Sequence, residues 1–140
     1  IRREKSESAS VASVTLTCSG LPQTLVREQE GAGEDAHLQF LRDLKHSVTF
    51  GDFFFCHAGV RPGVALDAQS THDLCWIRGE FHNHRGLYDK VIVHGHTPCH
   101  EPEVLPNRVN VDTKAFATGR LTALVIDGKE KRFIATDLGR

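Results

Sequence analysis

Apolar residues along the chain fall into two kinds of period, and their order outlines the fold. From Ile1 to about Gly33 the sequence is rich in Ser, Thr, Glu and Gly without a sustained period. The alternating run Val11-Ala12-Ser13-Val14-Thr15-Leu16-Thr17 is the exception and predicts an edge strand. Residues 1–34 are therefore expected to be a weakly structured segment ahead of a folded part over 35–140. From Asp35, an N-cap residue type, Leu38, Leu41 and Leu44 recur at a spacing of three with Phe40 beside them, predicting an amphipathic helix that ends near Lys45. Val48 to Cys56 reads as a strand region with a turn available at Gly51-Asp52. Ser70 followed by Asp73 forms a capping-box pattern for a helix running through Leu74, Ile77 and Phe81. Strand signals then dominate at Val91–Val93, Arg108–Val111, Leu121–Ile126 and Arg132–Ala135, the last two joined by the hairpin-type turn Asp127-Gly128-Lys129. Helices followed by strands predict an α/β, or α+β, layered fold.

Composition narrows the function classes more than it selects one. A chain of 140 residues fits one domain or part of one. With 17 basic against 18 acidic side chains, nothing in the overall charge draws it toward nucleic acid or an anionic membrane. No run of eighteen apolar residues and no secretory pattern is present, so a soluble cytoplasmic protein is expected. Cys18, Cys56, Cys75 and Cys99 form no C-x-x-C, and Cys56 and Cys75 lie inside apolar runs, which predicts reduced thiols rather than a disulfide framework. The chain starts at Ile1 and contains no Met, as expected of a fragment or a processed chain.

Candidate chemistry gathers at histidines that follow strand-like runs. His57 comes directly after Asp52-Phe53-Phe54-Phe55-Cys56, and His96 lies in Val93-His94-Gly95-His96-Thr97-Pro98. A strand holds its backbone rigid while the loop beyond is free of the ladder, so side chains on the first loop residues can be aimed at a common point. Within a strand His94 and His96 would share a face, whereas a turn at Gly95 would separate them. A local zinc site from His94, His96, Cys99 and His100 is the rival arrangement, but structural zinc sites usually pair two ligand knuckles set further apart. The histidines of Phe81-His82-Asn83-His84-Arg85 read as an exposed helix end. Arg78 sits one residue from an apolar helical stripe, either as a surface charge or at the rim of a cleft. There a guanidinium would grip a phosphate with two parallel hydrogen bonds.

Taken in order, Phe55-Cys56-His57-Ala58-Gly59-Val60-Arg61-Pro62-Gly63, Trp76-Ile77-Arg78, Val93-His94-Gly95-His96-Thr97-Pro98, Asn110-Val111-Asp112-Thr113 and Ala117-Thr118-Gly119-Arg120-Leu121-Thr122 resemble a known family. They are similar to the C-terminal half of bacterial serine/threonine phosphatases, in the phosphoprotein phosphatase branch of the calcineurin-like metallophosphoesterases. The resemblance runs over about residues 35 to 137. It implies the C-terminal part of a four-layer αββα sandwich and a two-metal centre of manganese, iron or zinc, with a metal-bound hydroxide attacking phosphorus. It implies His57 and His96 as ligands of the second metal and Arg78 as the contact to the substrate phosphate. It assigns no ligand role to His94, and Asp112 is read as ordering the turn after its strand.

The family's N-terminal motifs, Asp-x-His, Gly-Asp-x-x-Asp-Arg-Gly and Gly-Asn-His-Glu, do not occur in residues 1–56. Half of the family's metal ligands and its catalytic histidine are thus missing, and Glu28, Glu30, Glu34 and Asp35 read as solvated charges. Lys114 stands where the family has a glycine after Asp-Thr; if that position takes positive φ, the turn is strained by about 1 kcal/mol. The expected function is a metal-dependent phosphoester hydrolase, similar to a serine/threonine protein phosphatase and weakly active or inactive as this chain. Its substrate would be a phosphoprotein or a small phosphoester. The alternatives are a dinucleoside polyphosphate hydrolase of the same fold, and a non-catalytic phosphatase-like binding module. A part of a sheet fold without its partner strands is also expected to self-associate through exposed strands.

Overall fold

A computed structural model describes residues 39, 42–128 and 130–136. The predicted edge strand at 11–17 and the whole 1–34 segment lie outside the described residues. Of the helix predicted from Asp35, residues 39, 42 and 43 are helical and the chain leaves the helix at 44, close to the predicted end.

Five strands form one mixed sheet in the order β1-β2-β3-β5-β4: β1 (Ser47–Phe50), β2 (Phe53–Cys56), β3 (Val91–His94), β4 (Glu103–Val104) and β5 (Arg108–Asn110). Gly51, at φ 54°, turns β1 into β2, whose register pairs Phe50 with Phe53. β2, β3 and β5 run parallel, and the antiparallel β1 and β4 close the two edges. Inner parallel strands are covered on both faces, which is why Phe53-Phe54-Phe55-Cys56 and Val91-Ile92-Val93 are continuous apolar runs rather than alternating ones.

Alternation across these strands divides the core in two. Phe54, Cys56 and Ile92 face the helices α1 (Thr71–Trp76) and α2 (Gly79–Asn83), packing with Ala58, Val60, Leu74, Ile77 and Phe81. Phe53, Val93 and Val109 face the other way, toward Leu124 and Ile126 of β6 (Thr122–Asp127). β6 pairs with β7 (Glu130–Ala135) as an antiparallel hairpin whose turn contains Gly128 at φ 56°. The described residues thus make three layers, helices, five-stranded sheet and two-stranded sheet. The class is mixed α/β as expected. Among the described residues no fourth layer covers the hairpin, and β7 is exposed along its whole length.

Two predicted features differ. The single helix expected through Phe81 is broken at Ile77 and Arg78, where Arg78 leaves helical geometry at φ −134°, ψ −95°. Ser70 caps α1 as predicted, its Oγ accepting from Asp73 N at 3.0 Å. Arg61 then forks onto the Asp73 carboxylate at 2.7 and 3.0 Å and also reaches Glu80, tying the loop after β2 to both helices across the break. The second difference concerns sulfur. Cys56 and Cys99 are free thiols, but Cys75, buried in α1, is disulfide-bonded, so the reduced thiol expected there is found at Cys56 and not at Cys75. An apolar setting accommodates a half-cystine as readily as a thiol and does not distinguish them.

Candidate active site at the carboxyl ends of β2 and β3

Because β2 and β3 are parallel neighbours with Phe55 opposite Val93, their carboxyl ends open at the same edge of the sheet. In sheets with parallel strands this edge is where ligands are held, since the loops leaving it are free of the ladder. His57 is the first residue beyond β2 and His96 the second beyond β3, and Gly95 N donates to His57 O at 2.8 Å, locking the two loops together. The rings meet: His57 Nε2 and His96 Nδ1 are 3.1 Å apart, with centroids at 4.9 Å.

The backbone at His96 is shaped to achieve this. Thr97 N donates to Gly95 O at 2.7 Å, closing a three-residue turn with His96 at its centre at φ 63°. Positive φ at a residue with a Cβ is unfavourable and persists where surrounding structure enforces it. The turn also decides between the two arrangements left open by the sequence, because it separates the histidines. His94, still in β3, is buried with its ring edge-on to Phe81 at 4.8 Å, while His96 turns toward His57 and lies edge-on to Trp76 at 5.6 Å. Gly95 O can only accept, so His94 Nδ1, 3.0 Å away, carries the proton and donates; Nε2 is left buried with a lone pair and no partner. Cys99 instead directs its Sγ to Asp112 O at 3.3 Å, and His100 is exposed, so the local zinc arrangement does not assemble.

Electrostatics connect further groups to the pair. Burial is the main cause lowering the His57 and His96 pKa values, and the Asp112 carboxylate opposes it at both. Asp112 also accepts from Lys114 N at 3.1 Å, so it orders the turn as expected while facing the histidines with its charge. Arg78 is exposed at the break between α1 and α2, and its positive charge further depresses His96 and also depresses His82. His82 is half-buried rather than part of an exposed helix end, with an unpartnered Nε2, because its ring lies against Phe81 and His94. A cavity of about 550 Å³ between the two sheets has Phe55, Val93, Val111 and Leu121 in its walls and also touches His57, His96 and Asp112.

The donor set fits part of a metal centre. Two imidazole nitrogens bound to one ion at about 2.0–2.1 Å stand roughly 3 Å apart, and the His57–His96 separation matches that distance. Among the described residues, however, no group of three or more His, Cys, Asp or Glu side chains converges as a metal site, so a complete two-metal centre is not assembled from them. Sequence reasoning passed over Trp76 and the site-facing side of Asp112. For Trp76 a signal existed, since it falls outside the Leu74, Ile77, Phe81 stripe and a large aromatic off the buried stripe is an exposed one.

No family model matches the sequence. The chain is similar to the asymmetrical bis(5'-nucleosyl)-tetraphosphatase PrpE of Anoxybacillus flavithermus (strain DSM 21510 / WK1), with 49% identity over 127 residues that take in 73% of this chain and 51% of that protein. The chain spans about half the length of this curated relative. Among the described residues, no helix is long and apolar enough to cross a membrane.

Proposed function

We propose that this chain carries the C-terminal half of a phosphoester hydrolase site, and that its substrate is a dinucleoside polyphosphate cleaved by water into a nucleoside triphosphate and a nucleoside monophosphate. The observation that carries the reading is the meeting of His57 and His96 at the carboxyl ends of β2 and β3, with the charge of Arg78 acting on His96. The relative's substrate class favours an anhydride substrate over a phosphoprotein.

Each residue has a role within that reading. Arg78 is exposed and positively charged at the end of α1, and its planar guanidinium suits two phosphoryl oxygens of a bound chain. The Asp112 carboxylate partly offsets the lowering that burial imposes on the neighbouring imidazoles, and its backbone holds the turn through Cys99. His57 Nε2 and His96 Nδ1 would hold one divalent ion, manganese, iron or zinc, which when bound supplies positive charge for the phosphoryl oxygens. The donors that would complete a two-metal centre belong to the other half of the fold. The 140-residue chain alone is therefore expected to turn over weakly or not at all.

The test is incubation of diadenosine tetraphosphate with the chain and excess manganese, with chromatography of the nucleotides, beside His96→Ala. The reading expects ATP and AMP in equal amounts from any turnover observed, abolished in the variant, with a phosphoserine peptide untouched. Phosphate release from the peptide at a higher rate than nucleotide cleavage would overturn it in favour of a protein phosphatase.

A further inference from the structure

The proposed hydrolase site explains the histidine pair and Arg78 but leaves Trp76 without a task. Trp76 is the last residue of α1, is 54% exposed, and is the single tryptophan of the chain. It lies outside the core, so about half of the energy that burying an indole would contribute to the fold is forgone. Its position is also not arbitrary. The ring stands at 90° to His96 with centroids 5.6 Å apart, and the chain breaks immediately afterwards to present Arg78. An exposed aromatic ring thus borders the histidine pair, two residues from the cation suited to phosphate.

We infer that Trp76 is a specificity-determining residue, a stacking platform for the base of a nucleoside whose phosphate chain lies at Arg78, His57 and His96. The inference rests on the hydrolase reading above and names what that site would select, a nucleoside polyphosphate over a phosphoester without a ring. Three properties point to a base. An indole offers a flat face of the size of a purine, its exposure leaves that face free to solvent, and any aromatic base has a π-face to set against it. Stacking of one base on an aromatic side chain strengthens binding by roughly tenfold to a hundredfold, enough to set substrate preference. A polyphosphate with two nucleosides would seat one base here, leaving the other free of this platform.

Because Trp76 is the only indole, its fluorescence reports the contact directly. The full chain is titrated, with magnesium, with a methylene-bridged analogue of diadenosine tetraphosphate and separately with inorganic tripolyphosphate. Calorimetry on wild type, Trp76→Ala and Trp76→Phe gives the affinities, and circular dichroism confirms that the variants fold. The expected result is saturable quenching by the nucleotide and none by tripolyphosphate. Nucleotide affinity falls about tenfold or more in Trp76→Ala and largely returns in Trp76→Phe, while tripolyphosphate affinity is the same in all three. Equal nucleotide affinity in wild type and Trp76→Ala would overturn the platform and leave the phosphate site standing. Binding of neither ligand to the wild type would overturn the hydrolase reading and the platform with it.

Discussion

The two faces of the five-stranded sheet are built to different standards. On the helix side Phe54, Cys56, Ala58, Val60, Leu74, Ile77, Phe81 and Ile92 are all buried, and Phe81 is fully enclosed. On the hairpin side the buried apolar cluster among the described residues is Phe53, Val93 and Val109, Leu124 and Ile126 cover them partially, and a cavity of about 550 Å³ remains between the sheets. Both histidines leave strands of the same sheet, yet their placement is set mainly from the tight side. Phe81 lies directly beneath Gly59, where any Cβ would overlap its ring, and edge-on to His94, so one side chain supports the loops carrying His57 and His96. A dense layer fixes geometry because its side chains have no alternative packing; a loose layer tolerates change.

The largest expected break in this comparison is Phe81→Ala. It should cost about 3–5 kcal/mol in urea unfolding, the range for a fully buried aromatic, since Phe81 has no exposed surface. A loss below 1 kcal/mol would mean that the helix side is not the tight one.

Acid should act on the same side. Burial lowers the His94 pKa from 6.5 to about 4, so as pH falls the unfolded chain takes up this proton before the folded one does. The stabilisation is complete above pH 6.5 and lost progressively toward pH 4, at the limit about 3 kcal/mol. The urea midpoint should therefore drop more between pH 7 and pH 5 in the wild type than in His94→Gln. Equal drops would show that this imidazole titrates alike in both states.

Leu124→Ala is the matched probe of the hairpin side. Its side chain is only half-buried against Phe53, Val93 and Val109, so the expected cost is about 1 kcal/mol, well short of a sealed core leucine. A cost as large as that of Phe81→Ala would erase the contrast.

The smallest expected effect is a gain. Lys114 adopts φ 58°, ψ 46°, the left-handed conformation anticipated at this turn. Lys114→Gly should relieve that strain and stabilise by about 0.5 kcal/mol once the extra freedom of the unfolded chain is subtracted. A lower melting temperature in the variant would show that lysine is not strained there.

Much of this arrangement was legible in the chain because it follows from periodicity. The hairpin turn at Gly51-Asp52, the Ser70 cap and the five strand regions predicted within the described residues stand where alternation, apolar runs and turn residues put them. The convergence of His57 and His96 was legible for a related reason, since each follows an apolar strand and parallel strands open at one edge. What periodicity does not carry is tertiary context. His82 looks like a solvated helix end until Phe81 and His94 close over it. The interruption at Ile77 and Arg78 contains neither proline nor glycine before the break, and it shows only once Arg61 is seen bridging to Asp73 and Glu80 on either side. The cavity, likewise, is a property of two sheets meeting and has no signature in either alone.

A metal site at this edge of the sheet requires His57 and His96 to act as one pair of donors. Zinc titrated into the chain, followed by nitrogen-15 NMR of the imidazoles, tests this directly. The account predicts that the His57 and His96 resonances shift together and saturate at one ion per chain, before those of the exposed His72 and His100, and that either His57→Ala or His96→Ala abolishes the tight event. Independent shifts of the two rings, or a tight event that survives either substitution, would contradict it.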